Sequence, residues 1–282
     1  MRILYASDLH GDPGKYAAVI DLARAGNPAA CILGGDLFAF NRYQVQQRHQ
    51  GTMEFLRGFF HALAVPAFAI AGNLDFPLTM AGLAELQGEG LVTVLEHRPA
   101  QINARWNLYG YPCVPPTPFR KKDFERRDLA NDAVKPRDGS YATRADGTMR
   151  RVGPAYFNRL PSIEEELARF LPASPALYVT HTPPADTGLD MVQDGRHIGS
   201  VALRSHLLQH QPMLALHGHV HESPHVSSRW AERLGSTWCV NPGQHPKMLY
   251  AVMMEVDDHR VISLVHTHFG TLAMGESGGS NP

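Results

Sequence analysis

The sequence Leu216-His217-Gly218-His219-Val220-His221-Glu222 follows an apolar run at 213–216 near the end of the chain. His219 and His221 are two residues apart, and in an extended segment the side chains at i and i+2 point to the same side. Two imidazoles held in this way at the end of a strand can bind one metal ion. A histidine-rich surface turn would show the same short motif by chance, so the choice between these interpretations depends on the rest of the chain.

The composition is typical of a globular chain that can bury a substantial core. With 282 residues, 44% of them hydrophobic and 19% charged, it has room for one large α/β domain or two smaller ones. The net charge of -1 provides no overall attraction to nucleic acids or membranes. Cys31, Cys113 and Cys239 are widely spaced and odd in number, which argues against a disulfide framework and for a reducing compartment.

The chain also shows no sequence signal for export or membrane insertion. The charged Asp8 interrupts the first apolar segment, so the sequence offers no apolar region of a signal peptide. Its apolar runs are all too short to span a bilayer. We therefore predict a cytoplasmic protein with no membrane partner and no long nucleic-acid partner.

Three apolar segments in the first part of the chain each end in polar residues. The predicted strands cover 3–7, 30–33 and 66–70, and predicted helices over 15–25 and 43–63 connect them. This alternation of strand and helix is typical of an α/β sheet, in which ligands bind outside the carboxyl ends of the strands. The polar residues that would meet there are Asp8, His10, Asp36 and Asn73.

The second half of the chain adds two strand ends that carry histidine. A predicted strand over 176–179 leads to His181, and the run at 213–216 leads to the motif quoted above. A helix is predicted over 199–210, between these two strands. A closing group of antiparallel strands is predicted over 237–240, 249–256 and 261–266.

Residues 112–160 form a long connection that is rich first in proline and then in charge, and we predict an inserted loop or lid with little core. Its basic residues alternate with acidic ones, which favours a solvated helix face over a patch that attracts phosphate. These basic residues are Arg120, Lys121, Lys122, Arg126 and Arg127. Residues 271–282 are predicted to form a disordered tail. Because the sequence shows no repeat or linker, residues 1–270 are expected to form a single domain.

Seven residues with metal-binding side chains now stand at predicted strand ends: Asp8, His10, Asp36, Asn73, His181, His219 and His221. Carboxylates, an amide oxygen and several imidazoles together suit two transition-metal ions better than Mg²⁺ or Ca²⁺ alone. Two ions roughly 3.5–4 Å apart can hold both the attacking and the leaving oxygen of a phosphoryl displacement. The neutral amide of Asn73 adds a ligand without placing further negative charge beside an anionic substrate.

The order of these motifs resembles that of the calcineurin-like metallophosphoesterase superfamily over residues 1–270. The motifs are Asp8-Leu9-His10, Gly35-Asp36, Gly72-Asn73, His181 and Gly218-His219-Val220-His221. The segments 180–184, 217–224 and 241–243 are similar to those of a prokaryotic subgroup of small stand-alone phosphoesterases. The resemblance implies a four-layer α/β/β/α sandwich and a metal-dependent phosphoric ester hydrolase that acts on a small phosphoester substrate.

The resemblance also implies three ligands for each of two divalent ions. One ion would be held by Asp8, His10 and His221, and the other by Asn73, His181 and His219. Asp36 would bridge the ions together with a hydroxide, the nucleophile that attacks phosphorus in line. His219 and His221 would then bind different ions, contrary to the shared ion suggested by their spacing. Mixed nitrogen and oxygen sites accept Mn, Fe, Zn, Ni or Co, and manganese is our working choice.

Leu74 follows Asn73 at a position where many members of the superfamily have a histidine that protonates the leaving group or steadies the phosphate. Leucine can do neither, so we consider His197, between two ligand loops, as the replacement acid. The alternative for His197 is a structural role at the start of a helix. The predicted catalytic residues are thus Asp36, Asn73 and His197.

The missing acid favours hydrolysis of phosphodiesters, by a metal-bridging hydroxide, over hydrolysis of phosphomonoesters. A phosphomonoesterase or nucleotidase is one alternative. A weakly active metal-binding protein that serves as an interaction scaffold is another. The complete set of ligands argues against the scaffold, because a scaffold has no need to keep all of them.

Two residues beside the motifs are predicted to have structural roles. Asp75 is expected to brace its own loop by hydrogen bonds rather than to bind a metal ion. His217, directly before the glycine of the last motif, is expected to pack in the interior or to orient a ligand.

Overall fold

The computed structural model describes residues 1–38, 45–95, 99–144, 146–170 and 175–272, with the backbone alone at 45–48. Its helices are α1 (Pro13–Gly26), α2 (Val45–Leu63), α3 (Pro77–Gly88), α4 (Pro154–Asn158), α5 (Ile163–Leu167), α6 (Val201–His210) and α7 (Ser223–Ser227). Its strands are β1 (Arg2–Ala6), β2 (Ala30–Leu33), β3 (Ala67–Ala69), β4 (Thr93–Val94), β5 (Ala100–Gln101), β6 (Asn107–Tyr111), β7 (Tyr141–Thr143), β8 (Met149–Arg151), β9 (Ala176–Thr180), β10 (Leu214–Leu216), β11 (Ala231–Leu234), β12 (Thr237–Val240), β13 (Ala251–Val256), β14 (Val261–His266) and β15 (Gly270–Leu272).

The strands form two large sheets and one hairpin. The first sheet has seven strands in the order β15-β14-β13-β1-β2-β3-β4, and β1 to β4 run parallel. The second has six strands in the order β11-β12-β10-β9-β6-β5, with β6, β9, β10 and β12 parallel. Strands β7 and β8 pair with each other. The parallel strands of both sheets provide the carboxyl ends at which the candidate site is built.

Alternate residues of β1 belong to different hydrophobic cores. Leu4 and Ala6 pack with residues of α1, α2 and α3, whereas Ile3 and Tyr5 pack with residues of the second sheet. A third core lies between the second sheet and helices α5 and α6. The layers therefore follow the order helices, sheet, sheet, helices, which confirms the predicted α/β sandwich.

Helix boundaries follow the local sequence closely. Asp12 caps α1, since its side chain accepts hydrogen bonds from the backbone N–H groups of Gly14 and Lys15. Ser200 caps α6 in the same way, accepting from Leu203 N. Among the described helices, none is long and apolar enough to cross a membrane.

The prediction that residues 112–160 contain little core is wrong. Val114, Tyr141 and Phe157 in this insertion are buried, and it carries the β7–β8 hairpin and α4. Residues 120–127, all of them described, form turns and single bridges rather than the predicted solvated helix. Lys121 and Lys122 are buried because each ammonium group lies beside a carboxylate and donates to at least one backbone carbonyl. A run of alternating charge is thus compatible with the interior when the charges pair with one another.

The predicted tail begins too early. Thr271 and Leu272 pair with β14 as part of β15, so the ordered chain continues two residues beyond 270. The remaining residues of the predicted tail, 273–282, lie outside the described residues.

Candidate metal centre

The seven predicted ligand residues follow five parallel strands drawn from both sheets. In the first sheet, β1, β2 and β3 lead to the residues Asp8, His10, Asp36 and Asn73. In the second, β9 and β10 lead to His181, His219 and His221. The structure brings these side chains together at one edge of the sandwich, as the sequence predicts.

Four of these residues have a left-handed backbone conformation, which residues other than glycine rarely adopt. The φ angles are +57° at Asp8, +49° at His10, +51° at Asp36 and +67° at His219. Each such residue costs roughly 1–3 kcal/mol, and the surrounding structure must hold it in place. The loops after β1 and β2 provide this support, because the N–H groups of Asp8 and His10 donate to the carbonyls of Gly35 and Asp36 at 2.9 Å.

Asp8, His10 and His221 form one group of ligand atoms. Nε2 of His221 lies 3.1 Å from Asp8 Oδ1 and 3.2 Å from Nε2 of His10. Burial opposes ionisation of Asp8, but the adjacent His221 and the other nearby histidines hold its pKa well below the usual range. Burial similarly opposes protonation of His221, and Asp8 outweighs it to raise the pKa of this histidine. A carboxylate and two imidazoles that converge within hydrogen-bond distance can bind a cation.

Asp36, His181 and Asn73 form the other side of the site. Nε2 of His181 lies 3.1 Å from Asn73 Oδ1 and 3.6 Å from Asp36 Oδ2. Its Nδ1 lies 2.8 Å from the carbonyl oxygen of Gly34, to which an N–H at Nδ1 can donate. This bond orients the ring with Nε2 towards the cluster, as is usual for a histidine that binds metal.

The charge on the carboxylates dominates the protonation of His181. Burial opposes a charge on the imidazole, but the proximity of Asp36 and Asp8 raises its pKa to about 9. Binding of a metal ion at Nε2 would therefore displace a proton from this ring. The carboxylates that hold the proton also provide the negative charge that a cation would need.

The two groups share Asp8. Its Oδ1 lies 3.1 Å from His221 Nε2 and 4.0 Å from His181 Nε2, and it belongs to both sets of His and Asp ligands that can surround an ion. Asp36, which the resemblance implies as the bridge, belongs to the second set only. Its Oδ1 accepts a hydrogen bond of 2.7 Å from the backbone N–H of Leu74, and its Oδ2 faces His181. The bridging role of Asp36 thus stays a prediction.

His219 reaches the cluster with both its backbone and its ring. Its N–H donates to Asp8 Oδ2 at 3.1 Å, and its ring centroid lies 5.4 Å from that of His181. Burial lowers the pKa of His219 to about 4, so the neutral imidazole has a lone pair for a metal ion at neutral pH. The two histidines of the opening motif therefore approach different neighbours, His181 for His219 and Asp8 for His221.

Two motif glycines are required by close approach. A Cβ atom at Gly218 would overlap the side chains of Ser7 and Asp8, and one at Gly72 would overlap Asp36 and His181. Any larger residue would push these ligands apart. The glycines of the two motifs are therefore part of the ligand geometry as well as of the turns.

Asp75 joins the loops that follow β2 and β3, which confirms its predicted role as a brace. Its carboxylate accepts hydrogen bonds from the backbone N–H groups of Leu37, Phe38 and Gly72, at 3.2, 3.0 and 2.8 Å. Burial and the nearby Asp36 raise the pKa of Asp75 to about 7. Asp75 fixes the position of Asp36 relative to Asn73, because it binds the two residues that follow Asp36 and the residue that precedes Asn73.

Lys121 supports the same loop from the insertion, a role that no feature of the sequence indicates. Its side chain is 1% exposed, and its ammonium group donates to the carbonyl oxygens of Asn73, at 3.0 Å, and of Asp75. It also lies 2.9 Å from Asp123 Oδ2, an ionic contact without the alignment of a hydrogen bond. In the sequence nothing distinguishes this lysine from the other basic residues in a run of mixed charge, so only the structure identifies it.

His217 packs in the interior, as predicted. It is fully buried, its Nδ1 lies 2.8 Å from Thr180 Oγ1, and its carbonyl accepts a hydrogen bond from the Tyr5 hydroxyl. Burial lowers the pKa of its ring to about 3, so it is neutral at physiological pH. It contributes to fixing the motif rather than to binding a metal ion.

Among the described residues, neither group of clustered ligand atoms includes His197. Its Nδ1 is 2.7 Å from Oδ1 of the buried Asp190, and 34% of its side chain is exposed. Its neighbours Arg196 and Ile198 line a cleft that reaches His219. The hydrogen bond to Asp190 raises the pKa of His197, which favours the protonated ring that a general acid requires.

Comparisons with known proteins identify the family and the fold. A family model described as calcineurin-like phosphoesterase matches residues 1–223. One crystal structure superimposes with a TM-score of 0.64 at 17% sequence identity, covering 93% of this chain and 97% of the other. The protein TT1561 of Thermus thermophilus superimposes with a TM-score of 0.56 at 18% identity, covering 86% and 88% of the two chains.

A dimetal phosphatase from Danio rerio superimposes with a TM-score of 0.52 at 10% identity, covering 96% of each chain. At such low identities these superpositions show a shared fold and nothing further. No curated protein matches the sequence. The match to the family model covers most of the chain and coincides with the clustered ligands, so the chain belongs to the calcineurin-like phosphoesterases, hydrolases that act on phosphoesters.

Proposed function

We propose that the protein hydrolyses phosphodiesters with the help of two divalent cations. The observation that carries the proposal is the convergence of two carboxylates, one amide and four imidazoles at a single edge of the two sheets. The dimetal phosphatase from Danio rerio has the same fold, which supports the part of the proposal that concerns two metal ions.

The donor atoms fit a pair of cations. Nε2 atoms of His10 and His221 face each other at 3.2 Å, and Asp8 and Asp36 bring two negative charges into a buried site. In the proposed assignment Asp8, His10 and His221 would hold one ion, Asn73, His181 and His219 would hold the other, and Asp36 would contribute to both. Bound cations of this type supply positive charge to phosphoryl oxygens and lower the pKa of water.

The residues around the ligands prepare the site before substrate arrives. Leu74 N–H fixes Asp36, the Gly34 carbonyl orients His181, and the ammonium of Lys121 holds the backbone of Asn73. Ligands fixed in this way need little rearrangement during the reaction, which is the main source of catalytic power in preorganised polar sites.

The residue after Asn73 favours a diester as the substrate. Leu74 offers only its backbone N–H to the site, and that group is bound to Asp36. A phosphomonoester dianion carries one more negative charge than a diester and needs more positive or donating groups around its oxygens. The alternatives are a phosphomonoesterase or nucleotidase and a metal-binding interaction scaffold.

A substrate comparison separates these alternatives. With Mn²⁺ we expect bis(4-nitrophenyl) phosphate to be hydrolysed with at least a tenfold higher kcat/KM than 4-nitrophenyl phosphate, and neither to be hydrolysed after treatment with a chelator. The release of 4-nitrophenolate measures both reactions. Faster hydrolysis of the monoester would favour the phosphomonoesterase, and no turnover with Mn²⁺, Fe²⁺, Zn²⁺, Ni²⁺ or Co²⁺ would favour the scaffold.

His197 is the proposed donor of a proton to the leaving group. General acid catalysis contributes roughly 10²–10⁴-fold, and it matters most for alkyl leaving groups that depart poorly as anions. We expect His197→Ala to lower kcat by roughly 10²-fold on an alkyl phosphodiester and by less than threefold on bis(4-nitrophenyl) phosphate. Equal losses on the two substrates, or no loss on either, would remove His197 from the reaction.

The cellular setting is proposed from the cysteines. Cys31, Cys113 and Cys239 are free and buried, and burial raises the pKa of each thiol. These features suit a reducing compartment, and we propose a cytoplasmic enzyme that acts on small phosphoesters.

A further inference from the structure

A cleft with a volume of about 560 Å³ adjoins the metal centre at His219. This size is typical of pockets that enclose a small organic ligand. One part of its lining comes from residues 115–119 of the insertion, and another from residues 192–194, 196 and 198. Since His219 is shared by the cleft and the ligand cluster, a substituent of a bound phosphoester can extend into the cleft.

A buried ion pair holds the 115–119 segment in place through hydrogen bonds to Thr117. Nζ of Lys122 lies 2.8 Å from Glu125 Oε2, and the two side chains are 1% and 0% exposed. Lys122 donates to the carbonyl of Thr117 at 2.8 Å, and Glu125 accepts from Thr117 N and Oγ1 at 3.0 and 2.6 Å. Both polar groups of the backbone at Thr117, together with its hydroxyl, are thereby satisfied from one side. The segment also contains three prolines, each of which fixes its own φ angle.

Phe119 ends this rigid segment and displays its ring. The N–H of Phe119 donates to Thr117 Oγ1 at 3.2 Å, which connects it to the same buried pair. Its side chain is 52% exposed and contributes to the lining of the cleft. The ring of Phe119 is thus exposed to solvent in the cleft that adjoins the metal centre. The buried pair of Lys122 and Glu125 holds the segment that carries this ring in place.

The charged residues of the cleft do not favour a second anionic group. Arg196 is engaged with Asp194, its Nε lying 2.8 Å from the carboxylate, and Glu222 adds another negative charge to the lining. Val192 and Ile198 provide further apolar surface. Within the described residues the lining therefore suits an uncharged substituent.

We infer that this cleft binds an uncharged aromatic substituent of the phosphoester, with its ring against Phe119. The inference rests on the proposed function for the phosphate end of the substrate. Aromatic rings pack favourably on one another beyond the effect of burial alone, and an aryl group or a nucleobase provides the required face. The cleft would then select the substrate, while the metal centre carries out the reaction.

The test measures binding rather than turnover, by calorimetry with the Mn²⁺-loaded protein. Phenylphosphonate and methylphosphonate share a head group, so their difference isolates the ring, and cyclohexylphosphonate controls for size. We expect phenylphosphonate to bind roughly tenfold more tightly than methylphosphonate and more tightly than cyclohexylphosphonate. Equal affinities for the phenyl and methyl compounds, or tighter binding of 4-carboxyphenylphosphonate than of phenylphosphonate, would overturn the inference.

The variant Phe119→Ala tests the residue itself. It should lower the affinity for phenylphosphonate roughly fivefold and leave that for methylphosphonate unchanged. Met149→Ala, which also truncates an exposed apolar side chain of the insertion, should change neither affinity. An unchanged preference for the phenyl compound in Phe119→Ala would exclude this ring as the partner. If the protein prefers phenylphosphonate but hydrolyses no ester, the proposed function is wrong, whereas the inference about the cleft stands.

Discussion

Replacement of Asp36 by asparagine is expected to lower hydrolysis of bis(4-nitrophenyl) phosphate by roughly 10³-fold or more, since a metal ion contributes several kcal/mol to such a reaction. The variant removes one negative charge from the group formed by Asp36, His181 and Asn73. It should therefore bind less than two equivalents of Mn²⁺ per chain. Calorimetry gives the stoichiometry, and 4-nitrophenolate release gives the rate.

The fold should tolerate this change. The side-chain oxygen of asparagine can still accept the hydrogen bond from Leu74 N–H, which Asp36 Oδ1 accepts at 2.7 Å. Burial opposes the charge on Asp36, but the adjacent His181 outweighs it and holds the pKa of Asp36 below its usual value, so the carboxylate stabilises the metal-free protein through His181. We expect the free energy of unfolding without metal to fall, so activity is measured well below the unfolding transition. Loss of activity would then report on chemistry and metal binding rather than on unfolding.

Asp12→Asn is the matched control for Asp36→Asn. Asp12 lies in the same region of sequence as the first ligands, but its side chain caps α1 by accepting from Gly14 N and Lys15 N. Asparagine is an equally good capping residue, so activity and stability should stay close to those of the unmodified protein. Full activity with two bound ions in Asp36→Asn would overturn the bridging assignment.

Replacement of Lys121 by methionine is expected to affect both stability and metal binding. Methionine fills a similar volume but donates no hydrogen bond, so the carbonyls of Asn73 and Asp75 and the carboxylate of Asp123 lose their shared partner. Removal of one member of a buried ion pair costs about 3–5 kcal/mol of unfolding free energy. Loss of a group that orients a metal ligand lowers metal affinity by roughly 10–100-fold.

Lys122→Met separates these two effects. It removes a neighbouring buried ammonium, but one that binds Thr117 and Glu125 rather than the loop of Asn73. We expect urea unfolding to show a similar loss of stability in both variants. Calorimetric titration with Mn²⁺, below the unfolding transition, should show weaker binding in Lys121→Met alone. Equal affinities in the two variants would mean that Lys121 stabilises the insertion without positioning Asn73.

The sequence predicts the α/β sheet and the ligand cluster because both depend on local patterns, whereas the four-layer sandwich is implied by the family resemblance. Each ligand follows a short apolar strand, and parallel strands bring their carboxyl ends to one edge wherever the helices between them pack. The convergence of residues as distant as Asp8 and His221 could therefore be predicted from the order of the motifs. The opening motif is the informative exception. Its spacing suggested one shared ion, whereas the left-handed backbone at His219 directs the two rings to different neighbours.

The insertion could not be predicted because its stability depends on pairs that have no periodic pattern. Lys121 reaches a loop almost fifty positions earlier in the chain, and only the folded arrangement brings its ammonium group to the carbonyl of Asn73. The same limit applies to the cleft, which forms between segments that are distant in sequence. Alternating charge therefore indicated a solvated helix where the structure has the buried ion pairs of Lys121 with Asp123 and of Lys122 with Glu125.

A titration of the metal-free protein with Mn²⁺, with hydrolysis of bis(4-nitrophenyl) phosphate followed at each step, tests the two-metal proposal most directly. The donor set predicts that two equivalents bind per chain and that turnover reaches its maximum only when the second is bound. Full turnover at one equivalent, or turnover in the chelator-treated protein, would contradict the proposal.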